Sequence, residues 1–141
     1  MNIVFVEGGN KILKEIAHRA VAFCIDELMP KANKLEIRVS LKTIKTDAMG
    51  YSMMGDDKYQ YELEIEKDQT LREFIGTICH EMVHVKQYYK NQMDPGPVAG
   101  EYRWNKEKIP ENTQYSDLPW EKEAYELQYK LADKLWEKNI V

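Results

Sequence analysis

The sequence predicts an α+β fold with an N-terminal helix, a small, mostly antiparallel sheet of three to four strands, a helix carrying His-Glu-x-x-His, and a C-terminal helix that presents glutamates. Two patterns predict it. Apolar residues recur at spacings of three and four over three stretches and alternate with polar residues over two others, so helical and strand periods are segregated along the chain. At 141 residues and 16.6 kDa the chain reads as one domain over residues 1–141, long enough for a single modest core.

Ile3 to Val6 forms a short strand ended by Gly8-Gly9. Asn10 caps a helix to about Met29 that turns Ile12, Leu13, Ile16, Ala17, Ala20, Val21, Cys24 and Leu28 inward, and Pro30 ends it. Leu35, Ile37, Val39 and Leu41 alternate with Glu36, Arg38, Ser40 and Lys42, and Tyr59, Tyr61, Leu63 and Ile65 alternate with Gln60, Glu62, Glu64 and Glu66, which marks two half-buried strands. Met49 to Met54 is a third, turned into the next by Gly55-Asp56-Asp57-Lys58. Thr70 and Glu73 form a capping box that opens a helix from about residue 70 to 91, with Leu71, Phe74, Ile75, Ile78, Cys79, Met82, Val85 and Tyr89 on its buried face. Asp94-Pro95-Gly96-Pro97 breaks this helix, and Tyr102-Arg103-Trp104 with Asn105 to Ile109 forms a small hairpin. The last helix begins at Pro119, capped by Asp117 or Ser116, with Trp120, Ala124, Leu127, Leu131 and Leu135 as its core stripe.

Composition excludes several function classes. Hydrophobic residues at 43% and charged residues at 31% describe a folded rather than a disordered chain. No apolar run is long enough to cross a membrane, and the segment from Met1 to Glu7 lacks the basic start of a signal peptide, so a cytoplasmic location is expected. Cys24 and Cys79 both fall on apolar helix faces, as reduced, packed thiols do. A net charge of -4 with pI about 5.5, without a basic-aromatic cluster, argues against nucleic acid as a direct partner. Lys130, Lys134 and Lys138 near one face of the last helix are diluted by Asp133 and Glu137 and read as solvated surface.

The chemistry concentrates in the second helix. His80-Glu81-Met82-Val83-His84 places two imidazoles at i and i+4 on one helical face, where they can grip one metal ion, and Glu81 beside the ion's open position can accept a proton from activated water. His80, His84, Gly76, Thr77 and Gln87 fall on a face adjoining the buried one. Gly76 costs roughly 1 kcal/mol against Ala inside a helix and marks a close approach there by a strand or bound substrate. Catalytic zinc usually has three protein ligands. A metzincin continuation fails, since Gln87 and Lys90 stand where Gly and His are required, and His18, the only other histidine, lies off the apolar face of the first helix and reads as surface. A carboxylate is therefore expected, and Leu118-Pro119-Trp120-Glu121-Lys122-Glu123-Ala124-Tyr125 offers two. Glu121 shares the side of the core stripe widened by Gln128, Ala132 and Trp136, whereas Glu123 shares the other flank with Glu126, Lys130 and Lys134, so Glu121 is favoured and Glu123 stays the alternative.

His80-Glu81-Met82-Val83-His84 followed by Glu121-Lys122-Glu123-Ala124 resembles the gluzincin arrangement of zincin-like peptidases, His-Glu-x-x-His then Glu-x-x-Ala on a later helix, as in minigluzincins and ImmA/IrrE-like peptidases. The wording from Ile78 to Gln87 and from Pro119 to Tyr125 is also similar to small SprT-like metallopeptidase domains, many of them encoded by bacteriophages. The resemblance covers roughly the second half of the chain. It implies a zincin-like fold, Zn2+ on His80, His84 and Glu121, Glu81 as general base, and a peptide or protein substrate. The chain departs from the pattern at Tyr125, where many gluzincins have Asp or Asn to support a ligand histidine, and in lacking the third histidine of SprT proteins proper.

Two functions follow as expectations. The first is a zinc peptidase, cleaving internal bonds of a chain that adds to an exposed edge strand, either Met49 to Met54 or Tyr59 to Ile65, with Tyr102, Arg103 or Tyr115 as candidates to stabilise the oxyanion. The second is a catalytically silent zinc-binding structural or partner-binding protein, such as a phage accessory or virion component, in which the same residues bind metal for folding energy alone.

Overall fold

The computed structural model describes residues 1–94 and 101–141. Its elements run β1 (Ile3–Gly8), α1 (Lys11–Leu28), β2 (Glu36–Lys42), β3 (Gly50–Met54), β4 (Gln60–Glu66), α2 (Leu71–Tyr89), β5 (Met93–Asp94), β6 (Tyr102–Trp104), β7 (Glu107–Ile109), a 3-10 turn at Tyr115–Asp117, and α3 (Pro119–Glu137). The α+β class and the three helices follow the sequence patterns. The stretch Pro95-Gly96-Pro97, expected to break the second helix, lies outside the described residues.

The main sheet has the order β1-β2-β4-β3 and is mixed, not mostly antiparallel: β1–β2 and β2–β4 are parallel, and only β3–β4 is antiparallel. Alternation reports which face of a strand is buried but not its direction. Direction comes from the connections. Helix α1 carries the chain back along the sheet, so β2 starts from the same end as β1. The hairpin then lets β4 slip between β2 and β3, and burial decides that choice: Tyr61, Leu63 and Ile65 are at most 1% exposed, whereas no residue of β3 is buried. The strand with three bulky apolar residues on one face takes the centre and β3 is left as an edge.

Local signals set the helix starts. The Asn10 side chain accepts the Leu13 N–H at 2.9 Å, and Thr70 Oγ1 accepts the Glu73 N–H at 3.2 Å while donating to the Glu73 carboxylate at 2.7 Å. Three expectations are corrected. Ile12 and Leu71, each placed in the first turn of an inward stripe, are 69% and 41% exposed, and the buried face of α2 begins at Phe74 instead. Helix α2 ends at Tyr89, ahead of the proline segment, with Asn91 turning into the left-handed region at φ 57°. The N-cap of α3 is Leu118, without a side-chain bond, because Ser116 and Asp117 are taken into the preceding 3-10 turn.

Helix α2 is the buried centre of the fold, packed between the sheet, α1 and α3. It shares the core with Ala17, Ala20, Val21 and Cys24 of α1 and Ala124, Leu131 and Leu135 of α3, of which the small Ala17, Ala20, Cys24 and Ala124 let helix axes approach closely. Cys24 and Cys79 are buried free thiols with sulfurs 3.9 Å apart, and His18 is exposed. Strands β5, β6 and β7 form a small antiparallel sheet, its β6–β7 turn made by Asn105 at φ 50° and Lys106 at φ 73°. No described helix is long and apolar enough to cross a membrane.

Glu66 closes the end of β4 by accepting the N–H groups of Ile44 at 3.0 Å and Asp68 at 3.1 Å, and those backbone bonds, Ile44 first, hold its carboxyl below its ordinary value. A depressed folded pKa stabilises fully above the ordinary glutamate value of about 4.3 and loses that contribution as pH falls through the folded pKa. Glu66→Gln is expected to lower the melting temperature near neutral pH, with the gap to wild type narrowing as pH drops below about 4. Thermal melts across pH check this, and a gap that stays constant into acid would contradict it.

Candidate metal centre

His80 and His84 project from one face of α2 with ring centroids 4.9 Å apart, edge to face. Helix α3 lies across them so that both oxygens of Glu121 reach the pair: Oε1 is 3.0 Å from His80 Nε2 and Oε2 is 3.2 Å from His84 Nε2. Glu121 is 7% exposed and His84 6%, so the three groups meet out of bulk water. Burial opposes ionisation of Glu121, but the hydrogen bonds from both imidazoles and from Tyr115 outweigh it and hold the carboxyl well below the usual range. Burial also works against a charged His84, and Glu121 and Glu81 reverse it, raising its pKa.

The other ring nitrogens decide whether these donors fit a metal. His84 Nδ1 lies 2.7 Å from Gln87 Oε1. The orientation of that amide is fixed on its far side, where Gln87 Nε2 donates to the Trp120 carbonyl at 2.9 Å and to Glu123 Oε1 at 3.2 Å. Its oxygen must therefore face the ring, so Nδ1 carries a proton, and Nε2 is left toward Glu121, where it either carries a second proton and donates to the carboxylate or offers its lone pair to a metal. His80 Nδ1 likewise lies 2.7 Å from an amide oxygen, Gln128 Oε1. Two imidazole lone pairs aimed at a carboxylate repel it unless a cation lies between them, and a set of two histidine nitrogens and one carboxylate suits zinc.

Glu81 offers a further oxygen beside the pair. His80, Glu81 and His84 present ligand atoms within 4.8 Å of one another, and Glu81 Oε1 also accepts from Ser52 Oγ of β3 at 3.3 Å. Burial pushes the Glu81 carboxyl up, partly offset by His84 and His80. The close approach expected at Gly76 is ordinary there, since a Cβ would meet Gln128 Nε2 at 3.5 Å. The tight contact is at Gly50. A Cβ on Gly50 would stand 2.9 Å from Thr77 Cγ2 and 3.1 Å from Glu81 Cγ, so only glycine lets the edge strand lie against the motif.

The site opens into a cavity of about 870 Å³ between β3, the face of α2, the small sheet and the start of α3. Of the residues expected near the reacting group, Tyr102 and Tyr115 line it and Arg103 does not. Tyr115 donates to Glu121 Oε1 at 2.9 Å, and Tyr125 packs its ring 4.6 Å from that of His80. Glu123, the alternative third ligand, is turned away onto Lys86 at 2.6 Å and Gln87. Sequence reasoning missed the supporting amides, although their spacing was readable: Gln87 follows His84 by three residues, and Glu121, Tyr125 and Gln128 fall at i, i+4 and i+7 on one face of α3. Ser52, Gly50 and Tyr115 come from distant segments and carried no local signal.

Gln87 is fully buried and serves two helices at once. Gln87→Leu strands the His84 Nδ1–H and the Trp120 carbonyl, and is expected to lower unfolding free energy by about 1–3 kcal/mol. Urea denaturation measures this, and an unchanged midpoint would remove the amide's structural role. No protein-family model, curated protein or solved structure matches the chain, so the chemistry of the site rests on its own residues.

Proposed function

We propose that the protein is a zinc-dependent peptidase of gluzincin type that cleaves internal bonds of peptide chains, with His80, His84 and Glu121 as metal ligands and Glu81 as general base. The observation that carries this reading is the Glu121 carboxylate shared between the two Nε2 atoms, with Glu81 beside them at the floor of an open cavity. A zinc ion held by these three side chains supplies Lewis-acid polarisation of a carbonyl and of water. Gln87 and Gln128 keep both imidazoles in the tautomer that ligates. Ser52 holds one oxygen of Glu81, which leaves the other to take the proton of the attacking water and return it to the departing amine.

The edge strand β3 supplies the substrate register. Its residues Gly50 to Ser52, with Met49 just before it, line the cavity, and the side of β3 away from β4 has open backbone groups on which an extended peptide can pair with little dependence on sequence. Tyr115, whose hydroxyl already reaches Glu121, stands at the mouth where a developing oxyanion needs a donor.

Zinc analysis and cleavage of an unfolded test protein examine the reading together. Glu81→Gln is expected to keep zinc and lose activity by about a hundredfold or more. His84→Ala and Glu121→Ala are expected to weaken zinc binding by more than about a hundredfold, beyond the usual cost of losing a supporting group. Full activity in Glu81→Gln would sink the base assignment. Zinc retained by wild type with no turnover of any peptide would favour the silent zinc-binding protein instead.

A further inference from the structure

We infer that the cleft selects its substrate by a bulky apolar side chain, seated in an aromatic lobe beyond His84, and turns acidic side chains away. This rests on the peptidase reading and names its substrate class. The cleft follows one face of α2, since Thr77, His80, Glu81, His84 and Tyr88 all line it. From Thr77 to Tyr88 a helix rises about 16 Å, which matches about five residues of extended chain at roughly 3.3 Å each. A bound peptide therefore passes the metal residues and continues to the Tyr88 end.

The walls change character at that end. Tyr88 stands one turn past His84, and Met93 of β5, Tyr102 of β6, and Leu118 and Trp120 at the start of α3 line the same cavity, Trp120 being tied to this end of α2 by its carbonyl bond to Gln87 at 2.9 Å. The Tyr102 and Trp120 rings lie 5.7 Å apart. Met93 and Trp120 are 7% and 9% exposed and make a covered floor, whereas Tyr102 at 44% forms an open rim. Such a recess, apolar below and accessible above, gains from burying an aromatic or long aliphatic side chain. Charge sharpens the choice. Asp47 lines the cavity and, among the described residues, no Lys or Arg does, so an acidic side chain seated away from the metal residues finds no basic partner.

The test separates binding from chemistry. Zinc-loaded Glu81→Gln protein is titrated, by tryptophan fluorescence, with blocked Ala-Gly decapeptides that carry a single Phe, Leu, Lys or Asp at the centre. Phe and Leu peptides are expected to bind about tenfold or more tightly than the Lys and Asp peptides. In the same background Tyr102→Ala, at an exposed position of the small sheet, is expected to weaken the Phe peptide about tenfold while leaving zinc content and the melting temperature unchanged, and Tyr102→Phe is expected to restore it. Equal affinity across the series, tighter binding of Lys or Asp, or no binding by any member overturns the inference. Wild-type protein that cleaves an unfolded substrate without regard to side chain also overturns it while leaving the peptidase reading intact. The peptide ranking with no cleavage by wild type preserves the lobe and removes the peptidase.

Discussion

Glu121 on α3 faces His80 and His84 on α2, and the rest of the structure is arranged around that meeting. Three polar groups withdrawn from water are costly unless each lone pair and proton has a partner, and the residues around them supply those partners. Gln87 and Gln128 take the Nδ1 protons, Tyr115 donates to the carboxylate, and Glu123 and the Trp120 carbonyl anchor the Gln87 amide. The two helices are therefore joined by a polar seam beside their apolar one. Its strength depends on positive charge between the imidazoles and the carboxylate, whether a proton or a metal ion.

Glu81 is held from the opposite side. Strand β3 sets Gly50 and Ser52 opposite Ile65 and Leu63 of β4, so it brings little apolar bulk to that part of the sheet and lies at the edge beside α2. Gly50 removes the one side chain that would hold the strand off, and Ser52, two residues on and so on the same face, reaches Glu81. The edge position thus gives both an open backbone ladder and the contact that orients Glu81.

Much of this was legible in the sequence, for definable reasons. Asn10 and Thr70 announce helix starts because capping is a contact over three residues, and His80 with His84 announces a shared face because helical spacing is local. The inward turn of Glu121 could be read from the widened stripe of α3. Strand direction could not, because alternating Leu35 to Leu41 and Tyr59 to Ile65 look alike whichever way they run. The order of β4 and β3 depends on competition between whole strands for the sheet centre, and the capping failure at Leu118 depends on a 3-10 turn that no single residue specifies. The Gln87 and Gln128 amides were within reach of helical spacing, but a glutamine becomes a positioning group only when its second partner, on another element, is known.

The separation between the two histidines and the carboxylate they share has a consequence for how the site comes into being. His80 and Glu121 are 41 residues apart, so the donor set does not exist in any local fragment and forms only after a long loop is closed. The small sheet of β5, β6 and β7 folds that intervening chain back on itself and shortens the path the two ends must search. A chain still emerging from synthesis carries His80, Glu81 and His84 well before it carries Glu121 or Gln128. The proposed activity would thus be withheld until the chain had folded and become a poor substrate for itself.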